Sequence, residues 1–215
     1  MKILVAGSHG QIGQRLIKAI AESEHTSVAM IRSAGQAPEM TALGAHETVI
    51  ADLEDDCSEA LANVDTVVFT AGSGGHTPPE KTEDVDRHGA ISLIDQAVAN
   101  GVQRFIMVSA MNADTPEKGP ESMRHYFEAK KAADDRLRAA GLDYTIVRPG
   151  KLTNDAGTGN IELAESLGRT GEITRDDVAT LLLALVDEPA SYNRTLEVLA
   201  GDTPIAEAIE SLQGL

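Results

Sequence analysis

Six short apolar runs, at residues 2–6, 27–32, 47–51, 66–71, 104–109 and 144–148, recur between longer amphipathic stretches. This interleaving constrains the fold more than any other feature of the chain. The runs are rich in Val and Ile and lack a clean apolar/polar alternation, the pattern of strands buried on both faces of a parallel sheet. Helical patterns fill the gaps at residues 11–22, 38–43, 57–63, 84–100 and 121–140. Parallel neighbours need crossover connections, and strict strand-helix alternation supplies them, so the expected fold is a doubly wound α/β sheet. Gly101 and Gly141, placed just after two of these helices, suit the left-handed residue that ends a helix.

A chain of 215 residues holds one sizeable core but is short for two ordinary domains. The expectation is one domain over residues 1–215, with 1–150 as a cofactor-binding core and 151–215 as a small substrate-side extension. Residues 153–160 carry two glycines, two asparagines and an aspartate and read as a loop. Thr174 is placed to cap a helix running to Val186, with Asp176 and Asp177 in its positively polarised first turn. A strand at 195–199 and a helix at 204–212 follow. The longest apolar run, 178–186, is far short of the ~20 residues a membrane helix needs.

Apolar residues make up 42% and charged residues 24% of the chain, which gives no reason to expect disorder. The net charge of -16 disfavours nucleic acid and anionic membrane as partners and reads most simply as a solvated acidic surface. Cys57 is the only cysteine, so an intrachain disulfide and a cysteine zinc cage are excluded. The apolar run before Gly7 is too short for a signal peptide, and a cytoplasmic protein is expected.

The first strand runs through Gly7-Ser8-His9-Gly10-Gln11-Ile12-Gly13 directly into a helix. Glycines in this setting permit a tight turn, backbone approach to a pyrophosphate and close helix-strand packing, while the helix N-terminus offers N–H donors. The bland alternative is a structural glycine turn. Arg32 closes the second strand, where an NAD-binding chain would place an acid for the ribose hydroxyls. A cation there can grip a 2′-phosphate and points to NADP in place of NAD. Asp52, ending the third strand, is placed either to accept a hydrogen bond from the adenine amino group or simply to cap the next turn.

The small residues Thr70-Ala71-Gly72-Ser73-Gly74-Gly75 after the fourth strand suit backbone passing close to a cofactor. Ser109 ends the fifth strand, and Tyr126 and Lys130 share one face of the following helix. Lys130 is expected to lower the phenol pKa toward working pH, letting Tyr126 exchange a proton with a carbonyl or alcohol oxygen that Ser109 holds. Tyr126 could equally pack its ring against neighbouring elements. Asp55-Asp56 and Asp134-Asp135 read as solvated faces, and the six histidines, His76 among them, lack ligand spacing, so no metal site is expected.

The glycine motif, Ser109, Tyr126-x-x-x-Lys130 and the strand end Tyr144-Thr-Ile-Val-Arg-Pro-Gly150, taken in order, resemble the short-chain dehydrogenase/reductase superfamily. The similarity is greatest to its atypical NAD(P)-binding, epimerase/dehydratase-like branch, with likeness also to flavin/biliverdin reductase and NmrA-like proteins. The resemblance implies that Gly7, Ser8, Gly10, Gln11, Ile12 and Gly13 form the pyrophosphate loop, Arg32 meets the 2′-phosphate, and Asp52 and Leu53 meet adenine. It also implies that Ala71, Gly72 and Ser73 line the ribose and nicotinamide side, Lys130 reaches the nicotinamide ribose, and Pro149 and Gly150 abut the carboxamide. Asp86 stands where the superfamily's fourth catalytic residue is usually Asn. The function implied is NADP-dependent reduction of a small carbonyl, quinone or flavin-like molecule. A non-catalytic NAD(P)-binding regulator and a sugar epimerase/dehydratase are the alternatives.

Overall fold

Neighbouring residues of the central strands pack on opposite sides of the sheet, which is why the apolar runs do not alternate. Ile3 and Val5 join one core with Leu16, Ile17, Ile20, Val178 and Leu182, while Leu4 and Ala6 join the other with Leu93, Ile94, Ala133 and Leu137. The computed structural model describes residues 1–74 and 78–214; Gly75 and His76 lie outside the described residues. The six expected strands are β1 (Lys2–Ala6), β2 (Thr26–Ile31), β3 (Glu47–Ile50), β4 (Thr66–Phe69), β5 (Arg104–Val108) and β6 (Asp143–Pro149). They pair in parallel in the order β3-β2-β1-β4-β5-β6. The chain winds outward from β1 to β3 and resumes on the other side at β4, so the order is that of a Rossmann-type doubly wound sheet with its switch point between β1 and β4.

Helices α1 (Gln11–Ala21), α2 (Ala37–Ala42), α3 (Pro79–Lys81), α4 (Ala90–Ala99), α5 (Arg124–Arg138), α6 (Arg175–Ala184) and α7 (Ile205–Glu210) flank the strands. Beyond β6 come β7 (Lys151–Thr153), β8 (Asn160–Ala164), β9 (Glu172–Thr174), β10 (Arg194–Ala200) and β11 (Thr203–Pro204). Strand β10 pairs in parallel with β6, and β8 and β11 add antiparallel neighbours, giving a sheet of nine strands among the described residues; β7 and β9 form a separate parallel pair. Among the described residues no helix is long and apolar enough to cross a membrane.

Several expectations need correction. Strand β3 is not buried on both faces: it is the sheet edge, and Ile50 remains 60% exposed. Residues 57–63 shorten to a single 3-10 turn at Ser58–Leu61. The stretch 84–100 is not one α-helix, because Thr82–Gly89 winds as a π-helix before α4. The 121–140 stretch opens with a 3-10 turn at Glu121–Met123 before α5. Residues 154–159 are a loop, but β7 and β8 flank it. Thr174 does cap α6, its Oγ1 accepting from the Asp177 amide at 3.0 Å. Asp177 is nevertheless buried, and it anchors that loop by accepting from the amides of Thr158 at 3.1 Å and Gly159 at 2.8 Å.

Candidate active site

The loop between β1 and α1 crosses the segment after β4 in backbone contact. Gly7 has φ +88°, and a Cβ there would lie 2.5 Å from the Ala71 amide nitrogen; a Cβ on Gly13 would lie 2.2 Å from the Gly7 carbonyl oxygen. Packing alone therefore demands these two glycines. Gly10 differs, since its backbone is extended and a Cβ would stand 3.1 Å from Gly7 O, a squeeze that a small shift relieves. Its missing side chain leaves the approach to α1 open. Helix α1 has no side-chain cap and no acid in its first turn. Its first amides thus retain the orphan donors and positive potential that suit a phosphate, so the loop fits a dinucleotide's pyrophosphate.

Ser8 does not turn its hydroxyl to that opening: it is fully buried and donates to Met30 O at 2.6 Å, fastening the loop to β2. Ile12 points into the core beneath α1, whereas Gln11 is exposed. Arg32, just past β2, is exposed, and among the described residues its guanidinium has no hydrogen-bond or ion-pair partner; only its amide is engaged, by Gln36 Oε1 at 2.9 Å. His9 pairs with Glu39 of α2 at 2.8 Å. Asp52 caps a turn, its Oδ1 accepting from the Glu54 amide at 3.1 Å, and Leu53 packs against Gly89. Pro149 ends β6 buried, and a Cβ on Gly150 would strike Gly171 O and Leu199 Cδ2, each at 2.4 Å.

Below the carboxyl ends of β5 and β6 lie two buried ion pairs. Tyr126, Lys130 and Asp134 follow one another at helical spacing along one face of α5. Lys130 Nζ stands 3.0 Å from Asp86 Oδ1 and donates to Val108 O at 3.3 Å. The π-helix presents Asp86, fully buried, whose Oδ2 accepts from the Ser73 amide at 2.9 Å, while Ser73 Oγ lies 3.1 Å from Thr82 Oγ1. The Ala71-Gly72-Ser73 segment is thereby pinned over this carboxylate. In the second pair, Arg148 Nη2 reaches Asp134 Oδ2 at 2.7 Å and Asp114 Oδ1 at 2.7 Å, and its Nη1 also bonds Asp114. Ser109 Oγ donates to the same Asp134 oxygen at 2.9 Å.

These contacts overturn two expectations. The Tyr126 phenol is pushed up, not down: burial raises it, Lys130 opposes, and Asp86 and Asp134 add to the rise. Burial would depress the Lys130 ammonium, but Asp86 beside it holds the proton more tightly than usual. Asp134 is no solvated residue; it is fully buried, and desolvation raises its carboxyl against the pull of Arg148 and Ser109. Its place one turn beyond Lys130, on the face of α5 that meets Ser109, was the available signal. Arg148, inside the Arg-Pro-Gly strand end, is the counter-ion of this layer, a role that the strand-end motif does not imply.

A family model described as NAD(P)H-binding matches residues 7–189. The chain is 44% identical over 216 residues to the uncharacterized sugar epimerase YhfK of Bacillus subtilis (strain 168), covering 99% of this chain and 100% of that protein. A solved structure from Bacillus halodurans, whose name suggests an NAD-dependent epimerase/dehydratase, aligns with TM-score 0.96 and 45% identity over 98% of this chain and 99% of its own. The oxidoreductase YlbE from Lactococcus lactis aligns with TM-score 0.90 and 31% identity over 100% and 98%.

Proposed function

The chain belongs to the NAD(P)H-binding family, an oxidoreductase- and epimerase-like group, and from that premise we propose an NADP-dependent reductase acting on a small carbonyl, quinone or flavin-like substrate. In this reading Gly7, Gly10, Gly13 and the first amides of α1 hold the pyrophosphate, and Arg32 grips the 2′-phosphate. Asp52 and Leu53 meet the adenine. Ala71, Gly72, Ser73, Pro149 and Gly150 border the nicotinamide side. Bound NADPH supplies the hydride.

The chain's own part is to deliver the matching proton. As the acceptor carbon gains a hydride, negative charge builds on its oxygen, and the Tyr126 O–H bond breaks as a new O–H bond forms there. Ser109 has committed its hydroxyl proton to Asp134, so what it offers a reacting group is its oxygen lone pairs. Lys130 keeps its ammonium 5.7 Å from the Tyr126 ring centroid.

The observation that carries the reading is the convergence of Tyr126 with Lys130, whose ammonium lies 5.7 Å from the Tyr126 ring centroid and bonds Val108 O beside Ser109, next to the Ser73 segment that Asp86 pins. A phenol so placed can supply the proton that a carbonyl oxygen takes up as its carbon gains a hydride. One feature supports the second reading, a non-catalytic NADP-binding regulator: Ser109 and Lys130 are each only 3% exposed, with their polar atoms engaged by Asp134 and Asp86. A screen of NADPH oxidation across carbonyls, quinones and flavins, with Tyr126→Phe as control, separates the two. Turnover that depends on Tyr126 supports the reductase. Tight NADPH binding with no turnover on any acceptor supports the regulator.

A further inference from the structure

Proton donation from Tyr126 leaves the Asp86 carboxylate unexplained. Asp86 is fully buried in the π-helix, a rare winding that recurs at functional sites. Its two oxygens meet different elements: Oδ2 takes the Ser73 amide at 2.9 Å, and Oδ1 stands 3.0 Å from Lys130 Nζ. Lys130 has one further polar contact among the described residues, Val108 O at 3.3 Å, and lies 5.7 Å from the centre of the Tyr126 ring. A lone ammonium at such a distance, away from water, draws a phenol toward phenolate. Paired with a carboxylate, the same ammonium is half of a dipole, and its pull on the phenol largely cancels.

Among the described residues the charged groups facing Tyr126 are Lys130, Asp86 and Asp134. Asp134 is already bound to Arg148 and accepts from Ser109, whereas among the described residues the one cation in contact with Asp86 is Lys130. We propose that Asp86 is a positioning residue that cancels the Lys130 charge facing Tyr126 and so keeps the phenol a proton donor. The residue standing where the resembling superfamily usually has Asn would then set how tightly the phenol holds its proton. This inference rests on Tyr126 being the acid, and its test reads the phenol itself.

The chain has three tyrosines and no tryptophan, so phenolate formation is visible in ultraviolet absorbance, and subtracting the Tyr126→Phe curve isolates Tyr126. Asp86→Asn should lower the Tyr126 midpoint by about one pH unit or more, the effect of a neighbouring cation left unopposed. In active protein the alkaline limb of the reduction rate should move down with it. The double variant Asp86→Asn/Lys130→Met, which removes both charges, should return the midpoint to within about half a unit of native. An unchanged midpoint in Asp86→Asn overturns the proposal. If that variant does not fold, the double variant decides: a near-native midpoint supports the proposal, and a rise of about a unit or more shows Lys130 acting unopposed in the native protein and overturns it. Midpoints that shift as expected while Tyr126→Phe keeps full turnover would retain the electrostatic role and discard Tyr126 as the acid, leaving the reductase reading without its proposed proton donor.

Discussion

Arg32 sits exposed beyond β2, and among the described residues its guanidinium has no partner, so binding a phosphate there breaks no ion pair among them. A charge-assisted bond of this kind contributes ~1.5–3 kcal/mol, and Arg32→Ala should narrow the NADPH-over-NADH preference by roughly tenfold or more in titration calorimetry. Asp114 tests the second ion pair. Hydrogen bonding from Arg148 holds its carboxyl below the ordinary value of 3.8, so the linked stability is present above that pH and is lost as pH falls through the lowered folded value. The stability gap between native protein and Asp114→Asn in urea titrations should therefore persist at neutral pH and close below about pH 3.8. At this scale Tyr126, Lys130 and Ser109 were legible as types at a spacing. The burial of Asp134 was legible only through its place one turn beyond Lys130, because its partner Arg148 arrives from β6 and an Asp-Asp pair on a helix reads by itself as a solvated face.

The β1-α1 loop shows how one motif divides its labour. Gly7 and Gly13 are fixed by backbone contacts within the fold, while Gly10 tolerates a Cβ with a small shift. Gly10→Val should accordingly keep a native circular dichroism spectrum and lose NADPH binding, because the branched side chain fills the approach to the α1 amides. Native-like calorimetric affinity in that folded variant would move the cofactor elsewhere. The strand positions were readable because burial on two faces erases alternation. The π-helix was not, since a slipped hydrogen-bond ladder leaves no mark in composition, and β3 looked like an inner strand because nothing in its residues says that no strand follows it.

Across the whole molecule, the chain's single thiol is buried in one of the two cores, the one that holds Leu93, Ile94 and Ala97. Cys57 is 1% exposed, and burial, with Asp56, Asp52 and Asp55 nearby, pushes its pKa up to about 11. Thiol reagents should modify it only when the structure opens, and NADPH should slow that labelling in proportion to ligand stabilisation. Labelling at equal rates with and without saturating NADPH would argue against binding to the folded protein. The parallel core was legible from the strand-helix rhythm. The extension beyond Gly150 was only partly so, because β7, β8 and β9 are short and take their partners from distant chain.

In the proposed reaction Tyr126 supplies the proton that accompanies hydride transfer, and single-turnover oxidation of bound NADPH by an accepted substrate reads that step alone. Tyr126→Phe should bind NADPH as the native protein does and lose ~10²–10⁴-fold in the rate of that turnover. A loss of less than about threefold at unchanged affinity, far below the usual contribution of a positioned acid, would contradict the account.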